Sequence, residues 1–203
     1  MYKCFGKRVL DILISLLGLI TAIPIFVLVS ILIKQDSAGP IFFRQKRMGR
    51  AGRAFYLIKF RSMAVDKEKE QEGFEPGEAL RVTKMGKMLR KTKLDEIPQL
   101  INVLLGDMSL VGPRPEVERY RDFYNGKYAD VLSVRPGLTD MASIKYRHEE
   151  EILAKSQDPE RTYKEVVLAD KLQIAADYIN HSSFFGDVMI IMNTFKSIFQ
   201  RSK

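Results

Sequence analysis

The dominant feature of the hydropathy pattern is an apolar run from Val9 to Ile33, broken only by Asp11, a few small or hydroxylated residues and Pro24. At 1.5 Å per residue a helix over this run would be about 37 Å long, more than a hydrocarbon core of about 30 Å. Pro24 predicts a break, because it lacks an N–H and its ring clashes with the carbonyl four residues back. Split there, the two pieces would measure about 22 Å and about 15 Å, so a sharply bent helix would dip into the bilayer and return to the same face. Lys3, Lys7 and Arg8 precede the run, and Lys34, Arg44, Lys46, Arg47, Arg50 and Arg53 follow it. Lys/Arg-rich flanks mark the cytoplasmic side, so both ends read as cytoplasmic and the segment as re-entrant, with a kinked spanning helix as the competing reading. The length of the run and the lack of a small-x-small pattern after it argue against a cleaved signal peptide. Arg8 and Asp11, spaced i, i+3, are expected to pair with each other at the interface.

Beyond Ile33 no second run is long and uniform enough to cross a bilayer. The pattern therefore divides into residues 1–36, a membrane segment, and residues 37–203, one domain on the membrane surface. Residues 40–46 and 54–60 are rich in β-branched and aromatic side chains and are separated by Gly49 and Gly52, which predicts a β-hairpin. Residues 66–78 carry Asp66, Glu68, Glu70, Glu72, Glu75 and Glu78 around Gly73, Pro76 and Gly77, the composition of a solvated loop. Helical periodicity follows at about 81–91, 96–105, 116–124, 160–180 and 187–200. The last of these has an apolar face broad enough for core packing or for lying among lipid headgroups. The fold class is α+β, predominantly helical, with a short hairpin and amphipathic helices.

Composition narrows the partners. The 203 residues carry a net charge of +8, which favours an anionic partner: nucleic acid, an acidic membrane or a phosphate-bearing substrate. No aromatic-interleaved RNA-binding signature is present, so nucleic acid is not expected. A hydrophobic share of 46% excludes a disordered chain, and Cys4 as the single cysteine excludes a disulfide framework and a Cys-based zinc site, in keeping with a reducing compartment. Phosphate-loop, dinucleotide, zincin and nucleophile-elbow motifs are missing. His148 and His181 lie far apart and read as surface or capping residues.

Arg81, Lys84, Lys87, Arg90, Lys91 and Lys93 form a cationic run that ends abruptly at Leu94-Asp95-Glu96-Ile97-Pro98-Gln99-Leu100. Pro98 fits the first turn of a helix starting near Glu96, which would put Asp95 at the helix N-terminus. An N-capping aspartate is the plain reading, worth about 1 kcal/mol. The same helix end, with cations beside it, would also attract phosphate oxygens. A carboxylate there can attack phosphorus, and Mg²⁺ held by few carboxylates and the substrate phosphates would offset the anionic repulsion. Downstream, Gly106 to Pro115 reads as a Gly/Pro-punctuated turn that presents Arg114 stiffly between prolines, suited to bidentate phosphate recognition or simply exposed.

Taken together these stretches resemble the bacterial sugar transferases, the monotopic polyprenyl-phosphate phosphoglycosyl transferases. The resemblance rests on Lys7-Arg8-Val9-Leu10-Asp11, Gln45-Lys46-Arg47-Met48-Gly49, Lys59-Phe60-Arg61-Ser62-Met63, residues 94–100, residues 106–115 and Arg135-Pro136-Gly137-Leu138-Thr139, and so spans most of the chain. It implies transfer of a sugar 1-phosphate from a UDP-sugar to polyprenyl (undecaprenyl) phosphate with release of UMP, the first step of membrane glycoconjugate or exopolysaccharide assembly. It further implies that Asp95 is the nucleophile and carries a covalent phosphosugar, that Glu96 completes a dyad, and that Mg²⁺ is required with Asp95 as its protein ligand. By the same resemblance Lys59, Arg90 and Arg114 hold substrate phosphates. A re-entrant helix would fix the catalytic domain to the cytoplasmic face of a bacterial inner membrane, where a homodimer is compatible with the pattern. The length matches the small form of the family, a catalytic unit without extra spanning helices. Two positions depart from the family pattern: Ile23 stands before Pro24 where a serine is usual, and Thr139 is followed by Asp140-Met141-Ala142 rather than the usual glycine and glutamine. A membrane-anchored adaptor whose basic surface binds anionic lipid or nucleic acid is the non-enzymatic alternative.

Overall fold

In a computed structural model of the protein, residues 6–64 and 82–199 are described; the acidic stretch at 66–78 lies outside them. The chain begins with helix α1 (Lys7–Asp36), followed by the hairpin β1 (Phe42–Met48) and β2 (Ala54–Phe60) and by α2 (Lys84–Thr92). A 3-10 turn (Leu94–Glu96) leads into α3 (Gln99–Leu105) and β3 (Ser109–Val111). Two 3-10 stretches (Glu118–Tyr124 and Gly126–Ser133) precede β4 (Gly137–Thr139), α4 (Met141–Lys145) and α5 (Glu149–Ala154). The chain ends with α6 (Pro159–Thr162), a π-helical stretch (Tyr163–Leu168), α7 (Ala169–His181) and α8 (Phe184–Phe199). The described residues are thus mostly helical, with two small sheets of two strands each among them.

α1 is helical from end to end with Pro24 inside it, so the proline does not interrupt the backbone as expected from its missing donor. In the turn before it, Thr21 Oγ1 donates to the carbonyls of Leu17 (3.0 Å) and Gly18 (3.1 Å), a back-bond that tends to bend helices. Among the described residues α1 is the one helix long and apolar enough to cross a bilayer. Its buried positions, Asp11, Ser15, Ala22, Val29 and Ile33, recur at helical spacing and form one stripe, while Leu13, Leu17, Ile20, Ile23, Val27 and Leu28 stay exposed.

The buried stripe is fixed to the domain at both ends. Arg8 and Asp11 do not pair with each other; longer-range partners win. Arg8 donates to the carbonyls of Val103 (2.6 Å) and Leu104 (2.9 Å) in the last turn of α3, where the helix dipole favours a positive charge. Asp11 accepts from Ser109 Oγ (3.1 Å) and from the backbone N–H of Leu110 (2.9 Å) in β3. At the other end buried Arg61 donates to the carbonyls of Ser37 (2.7 Å) and Ala38 (2.5 Å), setting a positive charge at the C-terminus of α1, where the helix dipole favours one. Val29 and Ile33 share a cluster there with Phe60 of β2 and Leu89 of α2.

The hairpin pairs antiparallel from Phe42↔Phe60 to Met48↔Ala54, so β1 begins two residues later than its sequence pattern suggests and runs on to Met48. Its tip, Arg50–Gly52, is a 3-10 turn with Ala51 and Gly52 at positive φ. β3 and β4 form a parallel pair, Ser109↔Gly137 and Val111↔Thr139. The expected helix at 116–124 is a 3-10 segment, Glu118–Tyr124. Phe55, Leu57, Val103, Met108, Val111 and Ile190 join β2, α3, β3 and α8 in one core, and Tyr120, Tyr163, Val167 and Leu172 help build a second under the 3-10 segments. α8 packs into the core along one face and leaves a second apolar face uncovered among the described residues. Asp187 and Ile190 are buried, whereas Phe185, Met189, Met192 and Phe195 are exposed.

Candidate active site

Two anchoring devices place the acidic turn. The N-cap of α2 is Thr83, whose hydroxyl accepts from the N–H of Gly86 (2.9 Å). Gly86 itself presses on the chain leaving β2: a Cβ there would lie 1.9 Å from the carbonyl oxygen of Ser62. α2 ends at Lys93, which adopts the left-handed conformation (φ 58°) usual for a helix-terminating residue. That reversal throws the chain into the Leu94–Glu96 turn and delivers Asp95 and Glu96 inward. Asp95 is therefore not the cap of a long helix, as the position of Pro98 suggests. Its turn is 3-10, Pro98 is the N-cap of α3, and α3 starts only at Gln99.

From the other side β2 supplies Lys59, two residues beyond buried Leu57 and so on the same face of the strand. Asn102 of α3 ties this strand to the acidic turn. Its side-chain oxygen accepts from Ile58 N (3.0 Å) and its amide donates to Tyr56 O (2.8 Å), so the side chain pairs with the free edge of β2 as a neighbouring strand would. Arg114 arrives from the turn after β3. A Cβ at Gly137 would lie 2.2 Å from the backbone of Gly112, so the two strands require glycine where they meet. The Arg114 N–H donates to Asp140 Oδ2 (2.9 Å), and Asp140 also caps α4 by accepting from Ser143 N (2.6 Å). Arg47 of β1 donates to Pro115 O (3.2 Å) and Glu116 Oε1 (3.1 Å), and Tyr163 donates to the other Glu116 oxygen.

These elements bring Lys59, Asp95, Glu96 and Arg114 together. Lys59 Nζ lies 2.9 Å and an Arg114 guanidinium nitrogen 2.8 Å from the same oxygen, Glu96 Oε1. Burial alone would raise the Glu96 pKa, but the charges of Arg114 and Lys59 more than reverse this and hold it well below the usual carboxylate range. Glu96 in turn raises the pKa of Arg114. Burial lowers that of Lys59, with Glu96 opposing. Asp95 differs: it is 6% exposed, it makes no hydrogen bond or ion pair among the described residues, and its Oδ1 is buried without a partner. Burial, with help from Glu96, raises its pKa above the ordinary aspartate value, while Lys59, Lys93 and Arg90 pull against that shift. Arg90 sits at the rim, donating to Ser62 Oγ (3.0 Å) and to Glu150 Oε1 (3.1 Å).

The arrangement is one unengaged carboxylate beside a second carboxylate that two cations keep ionised. It can present an oxygen nucleophile to an anionic electrophile. The described residues contain no cluster of three or more metal-ligating side chains, so they do not form an all-protein cage. Mg²⁺ is commonly bound through one or two carboxylates plus substrate phosphates, and Asp95, with its Oδ1 unpartnered, fits that donor set. Sequence reasoning missed Asn102, Asp140 and the Arg47–Glu116–Tyr163 group, whose partners lie far off in the chain. His148 meets Glu151 (3.0 Å) at the start of α5, and His181 meets the carbonyl of Asp177 (2.9 Å).

The chain is 35% identical over 197 residues to the UDP-N-acetylgalactosamine-undecaprenyl-phosphate N-acetylgalactosaminephosphotransferase of Aeromonas hydrophila, covering 96% of this chain and 44% of that protein. It is 37% identical over 204 residues to the UDP-glucose:undecaprenyl-phosphate glucose-1-phosphate transferase of Caulobacter vibrioides, with 95% and 69% covered. A third relative is the exopolysaccharide production protein ExoY of Sinorhizobium fredii, 33% identical over 208 residues, with 95% and 85% covered. The chain thus spans less than half the length of the Aeromonas relative and most of the ExoY protein. The sequence model of the bacterial sugar transferases matches residues 2–201, and the chain belongs to that family.

Proposed function

We propose that this protein is a membrane-bound phosphoglycosyl transferase that moves a sugar 1-phosphate from a UDP-sugar to undecaprenyl phosphate. In the first step an Asp95 carboxylate oxygen forms a bond to the sugar-bearing phosphorus. The bond from that phosphorus to the bridging oxygen breaks, and UMP departs with the electron pair. In the second, an oxygen of undecaprenyl phosphate attacks the same phosphorus and the carboxylate leaves, which restores Asp95. Lys59 and Arg114 meet the phosphate oxygens, and Glu96 keeps both cations charged and aligned. Mg²⁺ held by Asp95 would neutralise part of the diphosphate charge. The observation that carries this reading is the pairing of opposites in one turn: Asp95 buried without a partner, and Glu96 clamped by two cations.

The contacts of α1 support a membrane arrangement to match. Arg8 and Asp11 at one end, and Ser37 at the other, are held by the same domain. This supports a monotopic, re-entrant segment, because a spanning helix would carry one end away from a domain on the opposite side. The exposed apolar residues of α8 supply a further surface for the interface, and the Lys/Arg flanks favour the cytoplasmic face. The test is UMP release by the full chain in lipid nanodiscs, with UDP-glucose and UDP-N-acetylgalactosamine as donors, undecaprenyl phosphate and Mg²⁺. Turnover is expected with at least one donor and is abolished by Asp95→Asn; unchanged turnover in that variant rejects the nucleophile.

A further inference from the structure

Asp95, Gln99 and Asn102 stand at i, i+4 and i+7 in a segment that is helical throughout: the 3-10 turn, Ile97 and Pro98 in right-handed helical conformation, then α3. That spacing puts them on one face, and the contacts of Asn102 show that this face looks toward β2. All three are buried, at 6%, 1% and 1% exposure. A polar stripe this deep should be fully bonded, because each buried unpaired group costs about 1–3 kcal/mol. Asn102 obeys the rule. The other two break it together: Asp95 Oδ1, an acceptor, and Gln99 Nε2, a donor, both lack a partner.

The two orphans are chemically complementary, one helical turn apart, where side chains at i and i+4 are neighbours. The two oxygens of Asp95 are also unequal. Oδ1 is sealed from solvent, and the residual exposure of the carboxyl therefore favours Oδ2 as the oxygen that a substrate can reach. We propose that Gln99 is a positioning residue for the nucleophile: as Asp95 engages phosphorus, Gln99 Nε2 donates to Oδ1 from beneath and fixes the plane of the carboxylate with Oδ2 outward. No new bond to substrate is involved. The amide supplies the orientation that an in-line displacement requires, and the unmet hydrogen bond of the resting site is made only as the reaction proceeds, where it lowers the barrier instead of tightening substrate binding. This inference rests on the Asp95 chemistry proposed above.

The test separates positioning from packing by the sign of two effects. Gln99→Met keeps the length and volume of the side chain and deletes the donor. A residue that only packs the interior would show melting temperature and rate falling together. A positioning residue predicts the opposite pairing, since exchanging an unsatisfied buried amide for an apolar chain is neutral or stabilising. The measurement is rapid-quench attachment of radiolabelled sugar phosphate to the full chain in nanodiscs, using the donor that the wild type accepts, alongside thermal melts. Gln99→Met should melt no lower than wild type, show half-saturation by donor within about twofold, and attach label about 100-fold more slowly, the lower end of what losing one preorganised donor costs. Label attached at the wild-type rate, or a slower rate matched by a lower melting temperature, overturns the role of Gln99 and leaves Asp95 as nucleophile. A wild-type protein that takes no label from either donor, or Asp95→Asn labelled like wild type, overturns the underlying reading and this inference with it.

Discussion

Removing the negative charge of Glu96 strands two cations, and the size of the penalty follows from the geometry. Lys59 and Arg114 share Glu96 Oε1, and their side chains keep 20% and 32% exposure against 13% for Glu96. Deleting one partner of a fully buried ion pair costs about 3–5 kcal/mol, and the partial solvation here reduces the expected loss in Glu96→Gln to about 2–3 kcal/mol. For a chain of this size that is a fall in melting temperature of about 4–12 °C. The loss has a signature in pH. Burial already holds the Lys59 pKa below its ordinary value with Glu96 opposing, so without Glu96 it drops further. Between that depressed value and the higher unfolded one, the unfolded chain binds the extra proton, and stability therefore rises with pH. The deficit of Glu96→Gln should shrink as the buffer is raised from neutral toward the ordinary lysine range, because Lys59 gives up its proton at a lower pH in the variant than in the parent. Adding Lys59→Met removes one stranded charge and should recover about half of the loss, by the usual logic of double-mutant cycles. Thermal melts of the four proteins across that range measure all of this. A single variant within about 1 °C of wild type throughout, or no gain from Lys59→Met, would refute the ion-pair account.

Other outcomes follow from the same structure. Asp11→Ala leaves the Leu110 N–H and the Ser109 hydroxyl unpaired, for an expected loss of about 2–4 kcal/mol in chemical denaturation, with Asp11→Asn milder because its carbonyl can still accept. Gly86→Ala drives a methyl into the Ser62 carbonyl and should cost about 3 kcal/mol or more, read as lost expression of folded protein. Because burial raises the Asp95 pKa, the acid limb of kcat/KM should lie above that of an exposed aspartate. Since Glu96 contributes to that shift, Glu96→Gln should move the limb downward in a pH–rate profile of whatever activity remains.

Much of this was legible in the sequence where local pattern decides the outcome. The apolar run of α1 and the β-rich flanks of Gly49 and Gly52 are long enough to carry their own periodicity. Lys59, Asp95, Glu96 and Arg114 stand in motifs specific enough to be placed before their contacts are seen, and the structure gathers all four. What escaped depended on partners distant in the chain. β3 and β4 are three residues each, shorter than any alternation that could announce a strand. Arg8 and Asp11 look like a local pair, yet each finds its partners some ninety residues or more away. The start of α3 was misplaced because a 3-10 turn and the first turn of an α-helix differ too little in period over three residues to be told apart from composition.

Asn102 has a consequence for how the hairpin can change over time. By gripping Tyr56 and Ile58 it indexes β2 against α3, as a pawl holds a ratchet, one tooth short of Lys59. Sliding the strand by a single residue would swing the lysine to the opposite face, and sliding it by two would bring Leu57 or Arg61 into its place. Insertions at the tip around Arg50–Gly52 leave that index untouched, whereas one added residue between Tyr56 and Lys59 would empty the lysine's seat beside Glu96 without altering a single residue type in the site.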